Sequence, residues 1–172
     1  GCVTMWMLTP EFCKSIPKKK ADAAIITLTA RPELNLNEQK MIDIVKKNYS
    51  KVYCWIQGDS DLDYYNKFKN TDGIQLIPPN KDAYEHILNT EDLDYIGTRL
   101  HGGIYAMRHK KRAIIIAIDE RAKEIHKGNN LNCLSINEID QLDELINSEI
   151  ETKVSMPFDE IERWKSQFEE YK

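Results

Sequence analysis

The sequence predicts an α/β fold in which a parallel sheet carries helices on both faces, a Rossmann-like arrangement. Short apolar segments rich in β-branched residues alternate with segments whose apolar residues recur every three or four positions. The strand-like segments are apolar throughout, which is typical of strands buried on both faces. This alternation predicts parallel strands joined by right-handed helical crossovers.

The predicted strands are short, and the most apolar of them is the fifth. Because ligands of such sheets bind outside the carboxyl ends of the strands, the loops that follow the strands are the candidate site. The six predicted strands are residues 23–28, 51–56, 74–77, 93–97, 112–118 and 131–134.

The predicted helices fill the intervening segments. Asn37 is the expected N-cap of the first, in which Met41, Ile42, Val45 and Tyr49 form the apolar side. The later helices are predicted around residues 62–68 and 84–88 and over residues 103–109, 122–127 and 136–146.

We divide the chain into an interdomain or leading segment, residues 1–22, a Rossmann-like domain expected to bind the ligand, residues 23–150, and a C-terminal amphipathic helix, residues 151–172. The chain opens with Gly1 and its first twenty residues fit no complete domain start. We therefore expect the carboxyl half of a larger protein.

The C-terminal helix has one apolar side and is expected to begin with Pro157 at its first helical position. Either it packs on its own domain or it bridges to a domain outside this sequence. Its apolar residues are Phe158, Ile161, Trp164, Phe168 and Tyr171.

Composition excludes several classes of protein. The 172 residues include 24 Lys and Arg against 28 Asp and Glu, a net charge of −4 at pH 7, which gives no support to nucleic-acid binding through bulk positive charge. The longest apolar run, residues 113–118, is too short for a membrane span, and residues 1–6 lack the basic region and long apolar core expected of a signal peptide. We expect a cytoplasmic protein, with peripheral contact to the inner membrane face as an option.

The cysteines and histidines do not predict a metal site. None of the four cysteines forms a C-x-x-C pair, and the four histidines lack metal-ligand spacing. We expect reduced thiols and no bound metal.

Residues 94–103 carry the strongest chemical signal. A predicted strand ends there, Arg99 and His101 follow, and Gly102 and Gly103 open the next helix. The first amides of a helix attract phosphate or carboxylate, and a guanidinium pairs with either group. Since an imidazole exchanges protons near neutral pH, this segment predicts an anion site with an acid–base group beside it.

A structural interpretation of the same segment remains open. The two glycines can serve only tight helix–sheet packing, and His101 can simply cap the turn. Arg99 can pair with Asp94 or Asp119 instead of a ligand.

Other polar residues also fall at carboxyl ends of predicted strands. Gln57 and Asp59 either touch the ligand or only form their turn. Asp119 lies on the same edge, where an acid more often caps the next helix, and Arg31 and Arg121 are further cations there.

Thr98-Arg99-Leu100-His101-Gly102, within residues 94–104, resembles the signature of the polysaccharide pyruvyl transferase family, as do residues 114–122. Residues 1–10 and 27–29 are similar to that family's mid-protein segment and first carboxyl-domain strand. The chain departs from the family at Glu120, where asparagine is usual, and at Val3, where proline is common.

The resemblance implies the carboxyl-terminal domain of a two-domain fold of the glycosyltransferase-B type. In that family this half binds phosphoenolpyruvate, and the reaction places pyruvate as a ketal on two hydroxyls of an exopolysaccharide or cell-envelope sugar. The implied partners are phosphoenolpyruvate, a nucleotide-linked, lipid-linked or polymeric saccharide, and a missing N-terminal domain. No cofactor is implied, and this half alone is expected to be inactive.

The resemblance also suggests roles for individual residues. His101 is the candidate acid–base and Arg99 the candidate stabiliser of the departing phosphate. The substrate-binding candidates are Arg31, Leu100, Gly102, Gly103, Asp119 and Arg121. Two alternatives remain, a nucleotide-sugar glycosyltransferase domain of the same architecture and a non-catalytic anion-binding domain.

Overall fold

A computed structural model describes residues 2–118 and 128–168. Six parallel strands form one sheet flanked by helices, so the predicted Rossmann-like α/β class is confirmed. The strands are β1 (Ala23–Thr27), β2 (Lys51–Trp55), β3 (Gln75–Ile77), β4 (Leu93–Gly97), β5 (Ala113–Ala117) and β6 (Cys133–Ser135).

The strands lie in the order β3-β2-β1-β4-β5-β6. The chain first builds outward from β1 through β2 to β3, then returns to place β4 on the other side of β1. In a sheet of this order, ligands bind in the crevice at the carboxyl ends of the two strands where the direction reverses. Here those strands are β1 and β4, which pair from Ala23 opposite Leu93 to Thr27 opposite Gly97.

Helices follow the strands over most of the described chain. Two 3₁₀ helices, Val3–Met5 and Ile136–Gln141, supplement the α-helices. The α-helices of the described residues are α1 (Pro10–Lys14), α2 (Leu36–Asn48), α3 (Asp59–Tyr65), α4 (Lys81–Thr90), α5 (Leu100–Arg108), α6 (Leu142–Asn147) and α7 (Phe158–Ser166).

The sheet separates two apolar cores. Helices α2, α3 and α6 cover one face, which we call the first layer, and the leading segment, α4 and α5 cover the other, the second layer. Within β1, Ala24 and Ile26 belong to the first core, whereas Ala23 and Ile25 belong to the second. Both faces of the strand are buried, which explains its continuous apolar sequence.

Several predicted boundaries are wrong by a few residues. Helix α2 begins one residue before Asn37, because Asn35 is the N-cap and accepts the Asn37 N–H at 2.9 Å. Helix α5 begins at Leu100, ahead of the glycines. The predicted helix over residues 136–146 is divided by the non-helical backbone of Glu138.

The leading segment packs into the second core through Met5, Leu8, Cys13 and Ile16, all of which are buried. None of the helices in the described ranges is long and apolar enough to cross a membrane.

Helix α7 packs on the chain's own leading segment. Its Ile161 is buried, and the Trp164 ring meets the edge of Trp6 with centroids 5.1 Å apart. Pro157 is the N-cap, not the first helical residue as predicted. Tyr171 and the predicted helix over residues 122–127 lie outside the described residues.

Candidate functional site

The crevice between β1 and β4 depends on Gly97. A Cβ atom at this position would lie 2.7 Å from the backbone nitrogen of Thr27 and 2.8 Å from its carbonyl oxygen. Glycine therefore allows the two strands to approach closely where they end. Beyond them, the Thr98 N–H donates to the Thr27 carbonyl at 3.0 Å, and the Thr98 hydroxyl donates to the Thr29 hydroxyl at 3.0 Å.

Arg99 follows β4 and is the N-cap of α5. Its Nε donates to the Leu28 carbonyl at 3.0 Å, and its Nη2 lies 2.5 and 2.7 Å from the two carboxylate oxygens of Asp61. The Arg99 side chain is 29% exposed to solvent. Nη1 has no hydrogen-bond partner among residues 2–118 and 128–168, so one edge of the guanidinium remains for a ligand.

Asp61 is a site residue that sequence reasoning missed. It lies in the first turn of α3, its side chain is 3% exposed, and its Oδ2 also accepts the Gln57 N–H at 3.1 Å. Gln57 thus acts through its backbone, whereas Asp59 is exposed at the start of α3. Acidic residues are common in the first turn of a helix because they interact favourably with the helix dipole. The sequence position of Asp61 therefore does not indicate its contact with Arg99.

The expected alternative pairing of Arg99 with Asp94 is wrong. Asp94 Oδ2 accepts Arg112 Nη1 at 2.6 Å and the Tyr49 hydroxyl at 2.6 Å near the amino ends of the strands. Burial raises the pKa of Asp94, against the hydrogen bond from Tyr49 and the charge of Arg112. This buried pair is structural and lies at the opposite edge of the sheet from Arg99.

His101 is exposed in the first turn of α5, with its Nε2 3.6 Å from the Cys2 sulfur. The imidazole therefore extends toward the leading segment in the second layer, while Arg99 extends toward α3 in the first. A ligand that meets both side chains has to lie across the amino end of α5.

The glycines of α5 serve packing. A Cβ on Gly102 would lie 3.0 Å from the Tyr95 hydroxyl, and one on Gly103 would lie 2.8 Å from Ile115 Cγ1. The Gly103 N–H already donates to the Arg99 carbonyl at 3.2 Å, so the expectation that it offers an amide to an anion is wrong. The Gly102 N–H has no acceptor within the described part of the chain and remains a candidate.

Tyr95 fixes the backbone at the start of α5. Its buried hydroxyl donates to the Arg99 carbonyl at 2.6 Å and accepts the Thr27 hydroxyl at 2.5 Å. Burial raises the pKa of Tyr95, which keeps the hydroxyl protonated as this donor. The partly buried Leu100 side chain packs against the second core.

Arg31 lies on the same edge of the sheet. Its Nη2 donates to the Ile118 carbonyl at 3.4 Å, so the side chain spans from the loop after β1 toward the end of β5. An open cavity of about 640 Å³ is lined by residues 31–37. The other two predicted residues of this edge, Asp119 and Arg121, lie outside the described residues.

Glu38 is a second buried carboxyl that sequence reasoning missed. It is 0% exposed; the Tyr64 hydroxyl donates to Oε2 at 2.5 Å, and Oε1 has no hydrogen-bond partner in the described ranges. Burial raises its pKa, against the Tyr64 bond and the charge of Arg31. Glu38 lies three residues after the N-cap Asn35, a position at which glutamate commonly supports the start of a helix. Its sequence position therefore gives no sign that it lies beside the crevice.

Comparisons with protein families, curated proteins and solved structures found no match to this chain. Among the described residues, no three His, Cys, Asp or Glu side chains form a group that could hold a metal ion. The described groups that can bind or react with a ligand at this edge are Arg99, Arg31, His101 and the first amides of α5.

Proposed function

We propose that this chain is the donor-binding half of a polysaccharide pyruvyl transferase, with phosphoenolpyruvate as its ligand. The observation that carries the proposal is the partly exposed Arg99, which has a free edge beside the first amides of α5 in the crevice between β1 and β4. Sheets of this strand order bind ligands in that crevice. The resemblance of residues 98–102 to the family signature selects the donor.

Phosphoenolpyruvate suits the charges of this edge because it carries a phosphate and a carboxylate. In the proposal, Arg99 Nη1 and the Gly102 N–H take one of these groups at the start of α5. Arg31, which lies on the same edge of the sheet, takes the other. The open cavity of residues 31–37 includes Arg31 in its lining, but not Arg99 or His101, and in the proposal it takes the part of the donor that lies beyond Arg31.

The proposed transfer needs proton movement at both ends. A proton adds to the methylene carbon of the donor, a sugar hydroxyl attacks carbon two, and the bond from that carbon to the phosphate oxygen breaks. A second hydroxyl of the same sugar then closes the ketal, so the two hydroxyl protons end on the new methyl group and on the released phosphate. His101 is the exposed imidazole at this place, and Arg99 stabilises the charge that develops on the phosphate.

Ligand-binding measurements on this chain test which donor it binds. Phosphoenolpyruvate at about one hundred times its dissociation constant should stabilise the fold by about 2.7 kcal/mol in thermal unfolding, whereas a nucleotide-sugar should have no effect. Arg99→Ala should weaken binding roughly tenfold, since a charge-assisted contact is lost. Arg163→Ala, which removes an exposed arginine of α7, is the matched control and should bind normally. Stabilisation by the nucleotide-sugar alone would favour a glycosyltransferase domain instead.

Catalysis is tested in a protein that also contains the acceptor-binding half. There, His101→Ala should bind phosphoenolpyruvate and release phosphate at least about a hundredfold more slowly, because a general acid–base contributes that much. Undiminished turnover would remove His101 from the reaction. A wild-type protein that binds the donor and never releases phosphate would be a non-catalytic anion-binding domain.

A further inference from the structure

Asp61 and Arg99 form a closely held charged pair at the candidate site. Both Asp61 oxygens contact a single nitrogen of Arg99, Nη2, at 2.5 and 2.7 Å. The Leu28 carbonyl occupies Nε at 3.0 Å. The guanidinium is thus fixed at two of its three nitrogens by groups from two different elements.

The aspartate is itself fixed. Its side chain is 3% exposed, and the Gln57 N–H holds Oδ2 from the loop that follows β2. A chain of contacts therefore runs from the end of β2 through Asp61 and Arg99 to the end of β1. This chain of contacts fixes the orientation of the guanidinium and leaves Nη1 without a partner among the described residues.

We propose that Asp61 is a positioning residue that orients Arg99 so that Nη1 alone meets the anionic group of the ligand. The inference rests on the proposed anion site. It deepens that proposal, because a guanidinium fixed in this way offers one nitrogen instead of a two-nitrogen fork. The ligand class that suits this edge is an anion that accepts from a single nitrogen and takes its other bonds from backbone amides at the start of α5, as one phosphate face can.

Positioning and simple charge balance predict opposite effects of the neutral variant Asp61→Asn. Removing a negative charge beside an anion site should strengthen anion binding if charge were the only effect. Loss of orientation should weaken it, and we expect phosphoenolpyruvate affinity to fall roughly tenfold, the loss of one charge-assisted contact. Asp59→Asn removes the same charge from the same turn of α3 at an exposed position and should leave affinity unchanged or slightly higher.

A double variant separates positioning from a structural role. If Asp61 acts only through Arg99, Asp61→Asn should cause no further loss of affinity in an Arg99→Ala background, whereas a general disturbance of the fold would add to it. The measurements are calorimetric titrations of the full chain with phosphoenolpyruvate and with inorganic phosphate, with thermal unfolding of each variant recorded in parallel.

If Asp61→Asn does not fold, Arg99→Lys replaces it. Lysine keeps the positive charge but has a single side-chain nitrogen. It therefore cannot contact Leu28 and Asp61 through separate nitrogens and present another nitrogen to the ligand. Positioning therefore predicts that Arg99→Lys binds as weakly as Arg99→Ala. Tighter binding by Asp61→Asn, or full affinity in Arg99→Lys, would overturn the role of Asp61. No binding of either ligand by the wild-type chain would instead overturn the proposed function.

Discussion

At the scale of single residues, two buried carboxyls meet the candidate site in different ways. Asp61 satisfies both oxygens against Arg99, whereas Glu38 has one oxygen bonded to Tyr64 and the other without a partner in the described residues. Burial raises the pKa of Glu38 because the charged form loses its hydration. Because its pKa is raised in the folded state, the contribution of Glu38 to the free energy of unfolding depends on pH.

The stability difference between wild type and Glu38→Gln should change with pH. Because the folded pKa of Glu38 is raised above 4.5, its favourable contribution is complete below that pH and is lost as pH rises through the folded pKa. Glu38→Gln should therefore gain stability relative to wild type as pH rises from the ordinary glutamate pKa toward the raised folded pKa, measured by urea unfolding.

Glu85→Gln supplies a control of opposite sign. The Tyr105 hydroxyl, which donates to Glu85 at 2.6 Å, lowers the pKa of that carboxyl, so its contribution is present at higher pH and is lost as pH falls through the folded pKa. Parallel trends in the two variants would contradict the assigned pKa directions.

At the scale of elements, α5 is the helix that positions the candidate site. Its glycines bring it against β4 and β5, and its amino end lies over the crevice. The sequence predicted this strand–turn–helix unit correctly because Gly-Gly after a strand is a local pattern. It could not predict the partner of Arg99, because Asp61 is 38 positions away and reaches the site only through the packing of α3. Nor could it show that His101 and Arg99 extend toward different layers.

Gly103→Ala tests this packing. The added methyl group would lie 2.8 Å from Ile115 Cγ1 and 2.9 Å from Tyr95 Cε1, both in the sheet. Overpacking of this kind should destabilise the fold by about 1–3 kcal/mol in urea unfolding. Gly128→Ala, where the same methyl group would meet no atom of the described residues within 4 Å, should change stability by less than about 0.5 kcal/mol. Equal effects would mean that α5 does not pack as described.

At the scale of the whole molecule, the end of the sheet away from the candidate site is held by a buried ionic network. Arg112 pairs with Asp94 and donates through Nη2 to the carbonyls of Leu145, Ile146 and Ser148 at the end of α6. Arg112 thus links the sheet, through Asp94, to the end of α6. At the opposite edge of the sheet, the Arg99 side chain stays partly exposed. Strand order and this network both depend on long-range packing, which explains why the sequence predicted the alternation of elements but neither of these features.

Arg112→Met should disrupt that network. Asp94 would stay buried without its cation, and three carbonyls would lose a donor, so we expect a loss of about 3–5 kcal/mol in the free energy of unfolding. Arg163→Met on α7 removes an exposed arginine and should cost less than about 0.5 kcal/mol. A small effect at Arg112 would contradict a stabilising role of this network.

The outermost strands of the sheet, β3 and β6, are each three residues long, and two prolines follow β3 directly. An unpaired backbone row of this length gives an incoming extended peptide few amides to bond, and proline offers none. We therefore expect the edges of this sheet to be poor templates for strand addition by another chain.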